Sequence, residues 1–353
     1  MKKKRLIWVD LVKGFLMILV VIGHYPGELD FPLATYIYWF HMPAFFILSG
    51  LFFKPILEKG LTKQAIYKRF MQLIVPYLFF LVAITMIRYG IEIGSGNMDV
   101  SWYLNDLLKL GMGGRFARGA YGVFWFVTTL FLTYLFFLWL TKYFKRTMQF
   151  VILAISYTIA HLESLFAMHK IGGAPDEASQ TIPIILNIDV ALMAVTYFAI
   201  GYYMKAIWMN ITKSWLLAGL IGSITAIFLD STKVIDYHLS MKFLRYDHFV
   251  LDLLIPLSFT LVFVGIFQLI ASHMSLTWLQ QIEKHSLSIM YLHLFTNILL
   301  QDFFAYGIVE YTVFGVGIPI LISILIQKLL PHGNLLLGGF SPKKRTPTIS
   351  MLN

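Results

Sequence analysis

Three ionisable residues sit in the first apolar stretch of this chain: Asp10, Lys13 and His24. At 100° per residue, Lys13 and His24 fall about 20° apart around a helix, and Asp10 about 60° from Lys13. All three therefore share one stripe. Charge inside a membrane segment is costly and turns toward a protein interior or a cavity, so the stripe marks a functional site. His24 is followed by the turn Tyr25-Pro26-Gly27-Glu28, and the next apolar stretch opens with Phe40-His41-Met42-Pro43. The short connection puts His24 and His41 at similar depth, with Glu28 beside them in an outward-facing vestibule. Histidine titrates near neutral pH, so this grouping suits removal of a proton from a hydroxyl. The alternative is a pair of interfacial histidines bonded to backbone. No spacing here signals a zinc site. Pro43, inside the apolar run, is expected to free a carbonyl and bend its helix.

Further candidates are spread along the chain. Lys63, Lys68 and Arg69 precede Leu73-Ile74-Val75-Pro76-Tyr77. They read as a positive membrane anchor, or as a basic mouth for a phosphorylated cytoplasmic donor. Trp125 and Phe126 are expected a turn or two inside a helix. Asp189 and Asp252 are carboxylates within apolar segments, expected to pair with Lys13 or Arg88 or to line the cavity. Ser286 and His293 are seven residues apart and share a helix face. Ser49-Gly50 suits close helix packing; no Gly-x-Ser-x-Gly elbow surrounds Ser49 to make it a nucleophile.

The elements that must position these residues are membrane helices. The chain has 353 residues, 58% of them hydrophobic and 13% charged, with a mean hydropathy of +0.74. A soluble protein carries about twice that charge. Apolar runs of about 20 residues, the length that spans a bilayer, are predicted at 6–25, 34–53, 70–91, 121–141, 147–163, 183–204, 213–230, 249–270, 286–304 and 310–330. The expected fold is an all-α polytopic bundle of about ten helices; a barrel would alternate polar and apolar positions. With the N-terminus in the cytoplasm, 19 Lys and Arg residues fall on cytoplasmic segments and 7 on outer loops. That bias places both termini inside. It also accounts for most of the net charge of +10, so no nucleic-acid partner is expected. No small-residue cleavage site follows the first run, which is therefore read as a helix and not a signal peptide. The absence of cysteine excludes disulfides, thiolate metal sites and a cysteine nucleophile. The longest outer loops are predicted at about 92–120 and 164–182. The first reads as flexible, with Trp102 and Tyr103 as interfacial aromatics or sugar-stacking faces. The membrane domain is expected over 5–332 and a disordered cytoplasmic tail over 333–353.

Taken in order, Asp10-Leu-Val-Lys13-Gly14, Gly23-His24, Phe40-His41-Met42-Pro43-Ala44-Phe45-Phe46-Ile47-Leu48-Ser49-Gly50, Lys68-Arg69 before Pro76-Tyr77, Trp125-Phe126, Asp189 to Gly201, and Ser286-Leu-Ser-Ile-Met-Tyr291-Leu-His293 resemble the acyltransferase-3 family of integral membrane O-acyltransferases. The closest flavour is the fucose 4-O-acetylase-like and polysaccharide-adhesin-modifying branch. The resemblance implies ten core helices in a bacterial plasma membrane. It also implies transfer of an acyl group, usually acetyl from cytoplasmic acetyl-CoA, to a hydroxyl of a surface or lipid-linked glycan, with no bound cofactor or metal. His24 would act as base or brief acyl carrier, with Asp10, Lys13 and His41 also catalytic. Lys68, Arg69, Trp125, Glu28, Asp189 and His293 would serve the substrates. Two departures stand out: Lys13 where the wider family has arginine, and Glu283 where it has glycine before the helix-nine motif. The competing reading is an exporter of a polysaccharide or small polar solute, since a polar stripe in a helical bundle also suits a permeation path.

Overall fold

The computed structural model describes residues 6–27, 32–56, 59–171, 184–246, 248–301, 303 and 307–339. It is an all-α bundle. In chain order the helices are α1 (Ile7–Gly23), α2 (Leu33–Tyr38), α3 (His41–Leu51), α4 (Lys59–Gly94), α5 (Val100–Met112), α6 (Trp125–Tyr143), α7 (Arg146–Ile171), α8 (Val190–Tyr203), α9 (Lys205–Met209), α10 (Lys213–Ser231), α11 (Leu251–His273), α12 (Thr277–Lys284), α13 (Ser286–Gln301), α14 (Ile308–Leu329) and α15 (Gly333–Leu336). Among them, α4, α6, α7, α10, α11 and α14 are long and apolar enough to cross a membrane, as is the 185–203 segment that ends in α8. α1 and α13 are shorter, at 17 and 16 residues.

α1 is apolar nearly all round and buried along most of its length, the pattern of a helix inside a bundle. It touches α2, α3, α11, α12, α13 and α14. α4, α10 and α14 carry most of their apolar surface outward. α3 and α8 approach closely because two glycines meet: a Cβ at Gly50 would fall on the Phe198 carbonyl, and one at Gly201 on the Ile47 carbonyl. Small residues are what allow helix backbones this near each other in a membrane.

Several local expectations are corrected. The 34–53 segment is two helices, α2 and α3, broken at Trp39-Phe40, where Phe40 leaves helical geometry. Pro43 consequently lies in the first turn of α3, where a missing N–H costs nothing, and it bends no helix interior. The 92–120 segment is not a flexible loop. Asp99 caps α5 by accepting from the Ser101 amide at 2.9 Å, and the Ser101 hydroxyl and amide hold the Asp99 carboxyl below its usual range. Two short 3-10 turns follow, at Gly114–Phe116 and Gly119–Tyr121. Trp125 is the first residue of α6, not a residue of its interior. Residues 333–339, assigned to the tail, fold back onto α4 and α14 through α15; residues 340–353 lie outside the described residues. The one strand pair among the described residues is a hairpin unforeseen by hydropathy, β1 (Leu239–Ser240) and β2 (Arg245–Tyr246).

Candidate active site

Three helices bring three histidines to one end of the bundle, here called the outer end. α1 delivers His24 at its C-terminal cap, α3 delivers His41 as its first residue, and α13 delivers His293 from mid-helix. The rings of His24 and His293 meet edge to face with centroids 5.2 Å apart. Tyr38 stands edge-on to both His24, at 6.0 Å, and His41, at 5.1 Å.

Each imidazole is held the same way. His24 Nδ1 lies 2.7 Å from the Val20 carbonyl, His41 Nδ1 2.7 Å from the Ile37 carbonyl, and His293 Nδ1 2.8 Å from the Ile289 carbonyl. A carbonyl oxygen can only accept, so each ring donates from Nδ1–H and a neutral ring keeps its lone pair on Nε2. The backbone carbonyl four residues back thus sets the tautomer of all three, for His41 across the break between α2 and α3. The Tyr311 hydroxyl donates to the His24 carbonyl at 2.9 Å, so α14 fixes the helix end that carries His24. Among the described residues, His293 Nε2 is enclosed without a hydrogen-bond partner.

His24 and His41 open onto a cavity of about 290 Å³. Its polar lining comes from these two, Tyr38, Trp125, Ser240 and Lys242; the walls are otherwise mainly apolar, from Met17 and Phe45 to Phe126 and Met290. The turn between β1 and β2 closes the outer side. There the Lys242 ammonium donates to the carbonyls of Gly122, at 2.9 Å, and Ala117, at 3.3 Å, which ties the hairpin to the loop preceding α6. Lys242 and Tyr38 were not candidates from the sequence. Lys242 was one of seven outer-loop cations, and no periodicity marks a loop residue that reaches a cavity through tertiary contact.

The other sequence candidates go elsewhere. Lys13 is about 16 Å inward of His24 at 1.5 Å per residue. The cavity reaches Met17 on α1 but not Lys13. Lys13 pairs instead with Glu283 of α12 at 3.8 Å and sits 6.0 Å from the Phe52 ring centroid. Asp10 is buried one turn further inward. Lys68 is exposed, and Arg69 rests on the Tyr134 ring, 5.1 Å from its centroid. Tyr134 is nine residues inward of Trp125 on α6, about 14 Å. Ser49 donates to the Phe45 carbonyl at 2.7 Å within its own helix. Glu28 lies outside the described residues.

The expected pairing of Asp189 or Asp252 with Lys13 or Arg88 does not occur. Asp189 forms a buried ion pair with Arg115. The Arg115 amide and Nε both donate to Asn187 Oδ1, at 2.8 and 3.2 Å. Asp252 takes His161 Nε2 at 3.0 Å and the His248 amide at 3.1 Å. Arg88 pairs with Asp106 of α5 at 3.2 Å. The reason is depth and proximity. Asp189 and Asp252 sit where α8 and α11 begin, at the opposite end of the bundle from Lys13, and α5 presents a carboxylate to Arg88 within twenty residues of chain. Among the described residues, no group of three or more His, Asp or Glu side chains is arranged to hold a metal ion.

The stretch that builds this arrangement, from Asp10 to His293, falls inside one family model: an acyltransferase domain model matches residues 6–328. The chain belongs to this acyltransferase family. Two similar proteins are both named Nodulation protein NolL. That of Mesorhizobium japonicum is 32% identical over 161 residues, covering 43% of this chain and 40% of the relative. That of Sinorhizobium fredii is 32% identical over 144 residues, 38% of this chain and 35% of the relative. The chain therefore spans less than half the length of these relatives. No solved structure matches. In this family member the matched region contains every histidine that meets at the outer end, together with the hairpin that closes the cavity.

Proposed function

We propose that this family member is a plasma-membrane O-acyltransferase that moves an acyl group, acetyl in the simplest case, from cytoplasmic acyl-CoA to a hydroxyl of a cell-surface or lipid-linked glycan. One observation carries the reading: at the outer end of a membrane bundle, backbone carbonyls hold His24 and His41 in the tautomer whose Nε2 lone pair is available to a cavity of substrate size. That is the requirement for a general base that takes a proton from an alcohol.

His24 Nε2 accepts the proton of the acceptor hydroxyl as its oxygen attacks the thioester carbonyl. The C–S bond then breaks and the thiolate of CoA takes the proton from the His24 imidazolium, which leaves the ester and free CoA. The Lys242 ammonium at the cavity wall offers positive charge to the developing oxyanion. Apolar walls keep water from competing with the acceptor for the thioester. Arg69 and Lys68, on the inner side, would meet the charged nucleotide end of the donor, so the acyl arm alone traverses the distance to His24. The bacterial source of the two similar proteins supports a bacterial plasma membrane.

The test uses purified protein in nanodiscs with labelled acetyl-CoA and a surface-glycan extract, comparing wild type with His24→Ala and His24→Gln. Label is expected in the glycan with wild type, and transfer is expected to fall by about 10²–10⁴-fold in both variants at unchanged thermal stability. Full transfer by either folded variant would remove His24 from the chemistry. No CoA release by folded wild type would favour the exporter.

A further inference from the structure

At the end of the bundle opposite the histidines, a basic pocket and an apolar groove run into one another. The pocket, about 520 Å³, lies where α6 ends, α7 begins and α8 passes into α9; Arg146, Lys205, Gln149 and Tyr202 line it. The groove, about 410 Å³, runs between α7, α8 and the start of α11, past Phe150, Ala199 and Leu253. Tyr203 lines both. The Arg146 guanidinium lies at this junction, 5.4 Å from the Tyr203 ring centroid and 5.9 Å from that of Phe150. The junction is built: the Tyr203 hydroxyl donates to Gln149 Oε1, and Gln149 Nε2 donates to the Phe144 carbonyl at 2.8 Å. Groove residues from Thr196 to Tyr203 extend about 10 Å along α8 at 1.5 Å per residue, in the direction of the membrane interior.

We propose that this composite site binds one anionic phospholipid, its phosphate on Arg146 and Lys205 and one acyl chain in the groove between α7 and α8. Charge decides the occupant. Two cations, with no carboxylate among the described residues of the pocket lining, favour a headgroup of net negative charge over a zwitterionic one, and basic pockets between membrane helices are sites where such headgroups bind. The apolar groove favours a lipid over a soluble phosphate, which has nothing to place there. Lys54, Lys142 and Lys145 surround the same end, the end the charge bias turns to the anionic cytoplasmic leaflet.

Native mass spectrometry of the full chain in neutral detergent, titrated with phosphatidylglycerol or phosphatidylcholine, tests this. One phosphatidylglycerol is expected to be retained in preference to phosphatidylcholine. The double variant Arg146→Gln/Lys205→Gln is expected to bind it about 30-fold more weakly, the change that about 1 kcal/mol per lost cation produces. Ala199→Phe, which fills the groove and keeps the charges, is expected to reduce retention as well. Lys213→Gln, a cation at the same end outside the pocket, is expected to leave it unchanged. Equal retention of the two lipids, or undiminished binding by the double variant, would overturn the proposal. Displacement of the bound lipid by coenzyme A would instead assign the cations to the donor's phosphates. A dimer that Ala199→Phe dissociates would assign the groove to a second copy.

Discussion

Residue by residue, what distinguishes the site is how little of each histidine is left to chance. His24, His41 and His293 each spend Nδ1–H on a backbone carbonyl, so orientation and tautomer follow from the backbone four residues back. Lys242 is the cation nearest this chemistry. Lys242→Met keeps the stem and removes the charge; it is expected to lower kcat for acyl transfer and to loosen the hairpin, read as a fall in thermal stability. Lys13 and Glu283 meet each other. The pair is partly exposed, so Lys13→Met or Glu283→Gln alone is expected to cost about 1 kcal/mol or less. The exchanged variant Lys13→Glu/Glu283→Lys should recover it in thermal denaturation. If Lys13 also serves the donor, Lys13→Met raises the KM for acyl-CoA and Glu283→Gln does not.

At the scale of elements, the α3–α8 contact decides whether His41 reaches the cavity, because α3 is only 11 residues long and is anchored by its neighbours. Gly50→Ala and Gly201→Ala each place a methyl group on a facing carbonyl. Overpacking of that kind costs about 1–3 kcal/mol. Both variants are expected to melt earlier, and Gly50→Ala to lose activity as α3 shifts. The neighbouring substitution Ser49→Ala is the control: it loses only a hydrogen bond inside its own helix and should retain activity. Hydropathy found the long helices here and missed the break at Trp39-Phe40. Both sides of that break are apolar, and a tertiary contact holds it: the Trp39 indole donates to the Tyr237 carbonyl at 2.9 Å, from a loop about two hundred residues away.

Across the whole molecule, the buried Arg115–Asp189 pair joins the loop before α6 to the start of α8, and that loop also supplies part of the cavity wall. Removing Asp189 takes the ion-pair partner from the buried Arg115 guanidinium, with the Glu163 carboxyl left nearby. Asp189→Asn is expected to cost about 3–5 kcal/mol, while the double replacement Arg115→Met/Asp189→Leu should recover much of it, as read from denaturation in detergent. The cavity closes only when the hairpin, this loop and three histidine-bearing helices are assembled together, so a folding defect in the outer loops would be read as an activity defect at His24.

The sequence by itself determined the membrane bundle, the shared stripe of Asp10, Lys13 and His24, and the likeness in depth of His24 and His41. Each follows from helical period and chain connectivity, which are local. Only the tertiary structure decided which of these residues share a cavity. It brought His293 against His24, lowered Lys242 onto the outer side, and moved Asp10 and Lys13 out of reach. It also gave Asp189 to Arg115, a partner 74 residues away. Those choices depend on depth along the membrane normal and on contacts between distant loops, and no period in the chain encodes either.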